Sequence, residues 1–196
     1  MKKRKFFDGI APSWHEEHQN AEEELKLEAL FQHIPMSPGQ MVLDAGCGTG
    51  RTAPLIRKSV GNSGWVAGMD LSWEMLHIAR NKQRGKCVYF LSDAHELPLP
   101  DGRFDIVICF ALFPHLDHKL RALKQFHRVL KPGGLLVVAH TMNRKELNAF
   151  HARVKGPVTR DLLPGEAEMP RLFEAAGFRD FDLREEPSLY LARGRK

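Results

Sequence analysis

Along the middle of this chain, segments with two different spacings of apolar residues alternate. Short apolar segments, typical of strands, occupy residues 40–44, 64–70, 86–91, 104–110 and 135–140. Stripes at three- and four-residue spacing predict helices between them, at 52–60, at 72–83 and, with Asp117 as its cap, up to Leu130. This alternation predicts an open, doubly wound, mostly parallel α/β sheet with its ligand at the carboxyl ends of the strands.

The flanking segments predict further helices and one pair of strands. Helices are expected at 20–34, 144–154 and 166–176, with a proline-bearing loop at 156–165. Two short segments at 181–184 and 189–192 predict an antiparallel pair of edge strands, which brings the sheet to seven strands. Since no repeat or linker divides the chain, we expect a single domain covering residues 1–196.

The segment VLDAGCGTG at residues 42–50 runs from an apolar strand directly into a turn with three glycines. Gly46, Gly48 and Gly50 let the backbone approach a ligand closely, and the helix that follows offers unpaired N–H groups. Asp70 ends the next strand, 20 residues beyond Gly50, where an acid that binds a ribose is expected. The turn therefore predicts a nucleotide-like ligand, and it also satisfies the G-x-G-x-x-A fingerprint of dinucleotide enzymes.

Three further features argue against a nicotinamide cofactor. Asp44 places a carboxylate at the end of the first strand, where its charge suits a ligand ammonium better than a pyrophosphate. Asp93 and Ala94 supply a second carboxylate at a strand end beside a small residue, which suits the amino group of an adenine. The KPGG turn at 131–134 leads into a fifth strand of fitting length.

Together these motifs resemble the class I S-adenosylmethionine-dependent methyltransferases, within them the type 11, quinone-methyltransferase-like group. The resemblance covers most of the chain and rests on five motifs in order: residues 42–50, Asp70, residues 92–94, residues 104–107 and RVLKPGG at 128–134. It implies a Rossmann-like methyltransferase fold with an antiparallel edge strand, and S-adenosylmethionine as cofactor. It also implies a helical cover at 1–38, a cofactor-binding core at 40–140 and a substrate-side cover at 141–165.

The resemblance assigns the cofactor-binding residues, and the expected set is Asp44, Gly46, Cys47, Gly48, Gly50, Asp70, Leu71, Asp93, Ala94 and Phe110. The glycines would lie against the cofactor. Asp44 would lie near its methionine ammonium, and Asp70 would accept from both ribose hydroxyls. Leu71 would pack on the adenine ring, whose edge Asp93 and the backbone of Ala94 would recognise.

Residues 7–14, FDGIAPSW, resemble the FDxIAxxYD opening of quinone methyltransferases. Trp14 and His15 stand where that group has tyrosine and aspartate, which argues against a quinone acceptor. Trp14 is nevertheless expected to contact the acceptor.

Two other functions stay open as alternatives. An RNA methyltransferase is favoured by the basic ends of the chain, but ALFP at 111–114 lacks the Asn/Asp-Pro-Pro-aromatic signature of base amino methylation. No Pro-Cys nucleophile follows the fourth strand either. The second alternative is an accessory protein that binds S-adenosylmethionine without turnover.

Methyl transfer from a sulfonium is an in-line displacement, so the protein mainly aligns the nucleophile, the carbon and the sulfur. An acceptor that must lose a proton also needs a general base, and His115 and His140, after the fourth and fifth strands, are the candidates. The alternative is a structural role, for His115 a hydrogen bond to a loop carbonyl. Arg144, Asn148 and His151, spaced i, i+4 and i+7, would either face the acceptor or form a solvated helix face. Histidines at these positions match no short metal motif, so no metal is expected.

Composition limits the location and the partners. Of 196 residues, 43% are hydrophobic and 27% charged, as in ordinary globular proteins, and no apolar run approaches the ~20 residues that cross a bilayer. Three cysteines without metal or disulfide spacing indicate reduced thiols and a cytoplasmic protein. The net charge of +5 gathers at residues 2–5 and 193–196, where we expect frayed, solvated ends rather than a nucleic-acid surface. The expected partner is a small molecule in a site of modest size; its identity and the oligomeric state are not predicted.

Overall fold

In a computed structural model that describes residues 2–17, 20–82 and 86–196, seven strands form one sheet. The strands are β1 (Met41–Ala45), β2 (Trp65–Asp70), β3 (Cys87–Leu91), β4 (Phe104–Phe110), β5 (Leu130–His140), β6 (Arg179–Glu186) and β7 (Leu189–Arg195). Their order is β3-β2-β1-β4-β5-β7-β6, and β7 runs antiparallel to both of its neighbours while the other pairs are parallel. The predicted mostly parallel, doubly wound sheet is confirmed; its antiparallel strand lies second from the edge, next to β6.

The helices are α1 (Lys2–Glu17), α2 (Ala21–Phe31), α3 (Ala53–Val60), α4 (Trp73–Lys82), α5 (Lys119–Val129), α6 (Arg144–Arg153) and α7 (Glu168–Ala175). The predicted end of α4 at Gln83 lies outside the described residues. Strand β5 begins five residues earlier than predicted, because Leu130 already pairs with Phe104 of β4. Within the described ranges, no helix is long and apolar enough to span a membrane.

Two apolar layers cover the faces of the sheet. On one face, α5 and α7 bury Leu123, Phe126 and Phe173 against the strands. On the other face, α2 and α3 bury Leu30 and Ile56. Because the central strands are covered on both faces, they read as continuous apolar runs, and their polar residues collect at the strand ends.

The two basic ends of the chain are built into the fold, so the expectation of frayed ends is wrong. Lys3 lies in α1 with 15% of its side chain exposed, and its ammonium binds Asp117 at 2.6 Å and Asp161 at 2.8 Å. At the other end, the ammonium of Lys196 donates to the carbonyl of Leu130 at 2.8 Å. These partners are distant in sequence, and composition does not reveal them.

One predicted helix cap is correct and one is wrong. The Oγ of Ser72 accepts from the N–H of Met75 at 3.2 Å and caps α4 as expected. Asp117 does not cap α5, which begins at Lys119; its carboxylate binds Lys3 instead. The two residues are 114 positions apart in the sequence, so no local pattern indicated this pairing.

Candidate active site

The glycine-rich turn between β1 and α3 lies at the carboxyl edge of the sheet. Gly46 and Gly48 have φ of 72° and 52°, a region that favours glycine. The N–H groups of Gly46 and Cys47 donate to the carbonyl of Met69 at 2.8 and 2.9 Å, which fixes the turn against β2. A Cβ added at Gly46 would lie 2.8 Å from the Cβ of Leu112, whereas one at Gly48 would meet open space. The turn is therefore held from below and leaves room for a ligand above Gly48.

Asp70 ends β2 and holds the same turn from the side. Its Oδ2 accepts from the N–H of Gly48 at 2.9 Å, and its Oδ1 accepts from the N–H of Ser72 at 2.8 Å. Burial raises the pKa of Asp70, and these two N–H groups oppose the shift because they stabilise the carboxylate. Each carboxylate oxygen has a further lone pair that can accept from a ligand hydroxyl.

One cavity of about 1100 Å³ extends from the glycine turn to the histidines that follow β4 and β5. Twelve of the predicted site residues line it: Trp14, Gly46, Cys47, Gly48, Asp70, Leu71, Asp93, Ala94, Phe110, His115, His140 and His151. Four others, Asp44, Gly50, Arg144 and Asn148, are not on its wall. Small-molecule pockets usually measure roughly 300–1,000 Å³, so this cavity is slightly larger than a usual single-ligand site. The cavity is larger than the modest site expected from the sequence, because α1 adds a wall that includes Lys3, Phe7 and Trp14.

Arg144 and Asn148 hold neighbouring structure instead of facing the cavity. The Oδ1 of Asn148 accepts from the N–H of Leu163 at 2.9 Å and fixes the loop before α7. The Nε of Arg144 lies 3.7 Å from the carboxylate of Glu185 in β6. The shared helix face is divided between β6, the loop and the cavity, so His151 alone of the three reaches the cavity wall.

Asp44 lies beneath the glycine turn with 1% of its surface exposed. Its Oδ2 accepts from the hydroxyl of Thr52, and its Oδ1 has no hydrogen-bond partner within the described residues. Burial raises the pKa of Asp44 to about 7; the Thr52 hydroxyl opposes this shift and the charge of Asp70 adds to it. A cation above the turn would stabilise the ionised form of Asp44.

Arg51 lies on the cavity wall directly after the glycine turn, and no motif in the sequence points to it. Its Nε and Nη2 are buried and have no hydrogen-bond partner in the part of the chain that the structure describes. The carboxylate of Glu23 comes no closer than 4.0 Å to Nη2. Burial lowers the pKa of Arg51, and the charges of Glu23 and Glu24 oppose that shift. Leaving a guanidinium half-buried without a close partner is costly, so Arg51 is suited to bind an anionic group in the cavity.

Asp93 follows β3 on the cavity wall, together with His95, a second residue that the motifs do not identify. The Oδ1 of Asp93 accepts from the backbone N–H of His95 at 2.9 Å and lies 2.5 Å from its Nδ1. The Nε2 of His95 accepts from the backbone N–H of His118 at 3.2 Å. These two contacts assign the Nδ1 proton to His95 and fix Asp93 at the rim of the cavity.

His115 is joined to Asp161 and Lys3 at the far end of the cavity. The Nδ1 of His115 lies 2.8 Å from the Oδ2 of Asp161, and Lys3 lies 2.8 Å from the Oδ1 of the same carboxylate. The ring of His151 is centred 5.0 Å from that of His115, and its Nδ1 lies 2.5 Å from the backbone carbonyl of Asp161. Asp161 and Lys3 were absent from the expected site, since they lie far from His115 in sequence.

His140 lies at the end of β5 and is almost completely buried. Its Nε2 has no hydrogen-bond partner within the described ranges. Burial lowers the pKa of His140 to about 3, and the nearby His115 and His151 add to the shift. The imidazole is therefore neutral at physiological pH. It contributes an aromatic surface to the cavity, and a charge on it would be strongly disfavoured.

Helix α1 lines one side of the cavity and is tied to the core at two points in its first half. Near its start, Lys3 binds Asp117 and Asp161. Further along, the Oδ1 of Asp8 accepts from the hydroxyl of Ser72 at 2.6 Å. Lys3 and Asp8 therefore hold this helix against the cavity.

Comparisons with known proteins agree with this geometry. The profile of a family described as a methyltransferase domain matches residues 43–138. Demethylmenaquinone methyltransferase of Staphylococcus aureus, from several strains, is 33% identical over 175 residues, which covers 76% of this chain and 72% of the relative. The chain belongs to the class I S-adenosylmethionine-dependent methyltransferases.

Solved structures share the fold of this methyltransferase. A SAM-dependent methyltransferase from Aquifex aeolicus is 27% identical, with a TM-score of 0.75 over 94% of this chain and 96% of the other. A SAM-dependent methyltransferase from Thermotoga maritima, at 22% identity, superposes with a TM-score of 0.79 over 98% and 99% of the two chains. The predicted family, fold and cofactor are thus confirmed.

The residues of this methyltransferase fit S-adenosylmethionine. Asp44 and Arg51 have buried polar atoms without partners among the described residues, and their charges suit the ammonium and the carboxylate that the cofactor carries at its methionine end. The cofactor also carries two ribose hydroxyls, which suit the remaining lone pairs of Asp70. No group of three or more metal-binding side chains was found in the described part of the chain.

Proposed function

We propose that this methyltransferase transfers the methyl group of S-adenosylmethionine to a small, partly apolar, aromatic acceptor. One observation carries the proposal: a single cavity joins the glycine turn and Asp70 to an end lined by Phe7, His115 and His140. The Staphylococcus aureus relatives are named for demethylmenaquinone, which supports an acceptor of the quinone type. That relationship weighs against the contrary expectation drawn from Trp14.

At the cofactor end, we assign the methionine group to Arg51 and Asp44. The guanidinium of Arg51 would bind the carboxylate, and Asp44 would act on the ammonium by its charge from beneath the turn. The ribose would be held by Asp70, and the adenine by Leu71 and Asp93 with the backbone of Ala94. The same proposal places Gly46, Cys47, Gly48 and Gly50 under the cofactor and Phe110 beside it.

The protein's contribution to the reaction is mainly alignment. S-adenosylmethionine supplies a methyl group on a good leaving group, so holding the acceptor in line can provide on the order of 7 kcal/mol or more of the rate enhancement. Helix α1 lines one side of the cavity, and Trp14, His115 and His151 present the acceptor to the methyl group. His140 would serve as an aromatic contact, since its imidazole stays neutral.

We further infer a cytoplasmic protein whose partner is a small molecule and not a nucleic acid. None of the three cysteines forms a disulfide, which supports a reducing compartment. The ammonium of Lys3 is engaged by two carboxylates, so the basic start of the chain offers less positive charge to phosphates than its composition indicates.

Calorimetry with three nucleosides tests the cofactor end. S-adenosylmethionine and S-adenosylhomocysteine should bind, and Asp70→Ala should weaken both by roughly 1.5–3 kcal/mol, the loss expected for a charged hydrogen-bond partner. Arg51→Gln should weaken S-adenosylhomocysteine but leave 5′-methylthioadenosine, which lacks the amino-acid group, unchanged. Glu28→Gln, an exposed change on α2, is the control. No binding of either cofactor form would refute the proposal.

Turnover tests the acceptor end. The purified chain should convert S-adenosylmethionine to S-adenosylhomocysteine with at least one member of a panel of hydroquinones, phenols, amines and thiols. Binding of the cofactor without product from any acceptor would instead support the accessory-protein alternative. Methylation of bulk RNA would favour the RNA alternative.

A further inference from the structure

We propose that Asp161 positions His115 as the general base of the reaction, and that the acceptor is therefore an aromatic hydroxyl group that must lose its proton. This inference rests on the proposed function and specifies the chemistry of its acceptor. The observation behind it is the His115–Asp161 pair at the end of the cavity, 46 residues apart in sequence.

The pair fixes the proton on one nitrogen of His115. The Nδ1 of His115 lies 2.8 Å from the Oδ2 of Asp161, and an ionised carboxylate can only accept, so Nδ1 carries the proton. In a neutral imidazole the other nitrogen, Nε2, then has the free lone pair. Since His115 lines the cavity, this lone pair is available to take a proton from an acceptor bound there.

His115 is also held in place through its backbone and through its ring. Its backbone N–H donates to the carbonyl of Leu112 at 2.9 Å, and its own carbonyl accepts from the ammonium of Lys3 at 2.8 Å. The ring of Phe7 meets it edge-on at 5.2 Å, and the ring of His151 lies 5.0 Å away. A base fixed in this way loses little freedom when the acceptor binds.

Lys3 keeps the carboxylate of Asp161 ionised. Burial tends to raise the pKa of Asp161, but the hydrogen bonds from His115 and Lys3 outweigh it and hold this pKa below its usual value. The ammonium of Lys3 uses its three donors on Asp161, Asp117 and the carbonyl of His115. Because Lys3 belongs to α1, the complete arrangement exists only while α1 lies against the cavity.

The two neighbouring histidines are less suited to this role. The charged and titratable groups around His115 are Lys3, Asp117, Lys119, His140, His151 and Asp161. Burial lowers the pKa of both His140 and His151. His151 bonds to a neutral backbone carbonyl, and the Nε2 of His140 has no hydrogen-bond partner in the described part of the chain. His115 alone faces a carboxylate that would stabilise the imidazolium after proton transfer.

The proposed step moves one proton to His115 and one methyl group to the acceptor. The Nε2 of His115 takes the proton of the acceptor hydroxyl, and the O–H electron pair stays on the oxygen and its conjugated ring carbons. The oxygen or such a carbon forms a bond to the methyl carbon while the carbon–sulfur bond breaks and its electron pair goes to sulfur. If carbon is the nucleophile, its ring proton then moves to the oxygen, so either route releases one proton through His115.

The dependence of kcat on the acidity of the acceptor shows whether His115 acts as a general base or has only a structural role. The experiment compares two hydroxyarenes of similar shape, a naphthol that is un-ionised at assay pH and a nitro-substituted analogue that is already ionised. His115→Gln and Asp161→Asn should lower kcat with the un-ionised acceptor by about 10²- to 10⁴-fold, the usual contribution of general base catalysis. With the ionised acceptor the loss should stay within a few-fold, because no proton has to be removed.

Asp117→Asn is the matched comparison, since it removes the other carboxylate on Lys3 without touching the ring of His115. Its effect should be much smaller and equal for both acceptors. Nitrogen-15 NMR of the imidazole gives a readout apart from turnover: His115 should be protonated at Nδ1 in the wild type and a mixture of both forms in Asp161→Asn.

The outcomes distinguish this inference from the proposed function. S-adenosylhomocysteine affinity should be the same in wild type, His115→Gln and Asp161→Asn, and a wild type without that affinity refutes the proposed function itself. With cofactor binding intact, equal losses for both acceptors would overturn the role of His115 as a base. Turnover of amines or thiols alone, or of none of the hydroxyl acceptors, would do the same.

Discussion

Asp44 and Arg51 stand seven positions apart, and both bury polar atoms without hydrogen-bond partners among the described residues. The acid follows from its place at the end of a strand before glycines, so the sequence predicts it. The arginine carries no motif, and its burial depends on α2 bringing Glu23 and its neighbours over the turn. Whether a charged side chain is solvated or enclosed is decided by residues distant in the chain.

The buried imidazole of His140 makes the free energy of unfolding depend on pH. The unfolded imidazole takes up a proton near its ordinary pKa of about 6.5, whereas the folded one does so near 3, so the unfolded state binds more protons between these values. Stability is therefore lost as the pH falls through this range. Between pH 7.5 and 4.5 the loss from this group should be about 2–3 kcal/mol.

The check is urea unfolding of wild type and His140→Gln at both pH values. The glutamine does not titrate, so the stability of the variant relative to wild type should rise as the pH falls. A difference between the two proteins that stays constant with pH would contradict the burial assigned to His140.

Ser72 joins two helices, α1 and α4, through its side-chain hydroxyl. Its hydroxyl accepts from the N–H of Met75 at the start of α4 and donates to Asp8 of α1. The cap was predictable, because serine before an apolar stripe is a local signal. The bond to Asp8 was not, because it spans 64 residues and depends on α1 packing against α4.

Ser72→Ala should lower the free energy of unfolding by about 1–2 kcal/mol, the usual loss for a helix cap. The same variant should make α1 easier to cleave with trypsin at its lysines, since Asp8 loses a partner. Ser59→Ala is the matched control: the hydroxyl of Ser59 bonds back to the carbonyl of Leu55 within α3 and caps nothing. Equal effects of the two changes would argue against the cap and the tie to α1.

The strand order of the whole sheet places β1 between β2 and β4, so the glycine turn that follows β1 lies near the centre of the sheet. Close packing under that turn requires small residues. A Cβ at Gly68 of β2 would lie 2.6 Å from the ring of Tyr89 and 3.0 Å from the sulfur of Cys47. The φ of Gly68 is not positive, so the backbone conformation does not require glycine there. The lack of space for a side chain does.

Gly68→Ala should destabilise the fold by about 1–3 kcal/mol, the range for overpacking a core. It should also weaken cofactor binding, because Tyr89 and Cys47 support the turn. Gly165→Ala is the control, since a Cβ there meets nothing within 4 Å and its effect should stay within about 0.5 kcal/mol. Denaturant unfolding and calorimetry measure both quantities, and a neutral Gly68→Ala would mean that the packing beneath the turn is looser than described.

Sequence alone determined the strands, the helices after α1, the glycine turn and Asp70, because each depends on residues close together in the chain. Periodicity and turn chemistry are local, and the family's motifs keep their order and spacing. Only the tertiary structure decided that α1 lines the cavity, that Arg144 and Asn148 face away, and that Lys3 lies against His115, 112 residues distant. Which polar groups meet is set by how the helices pack on the sheet, and a pattern along the chain holds no record of that packing.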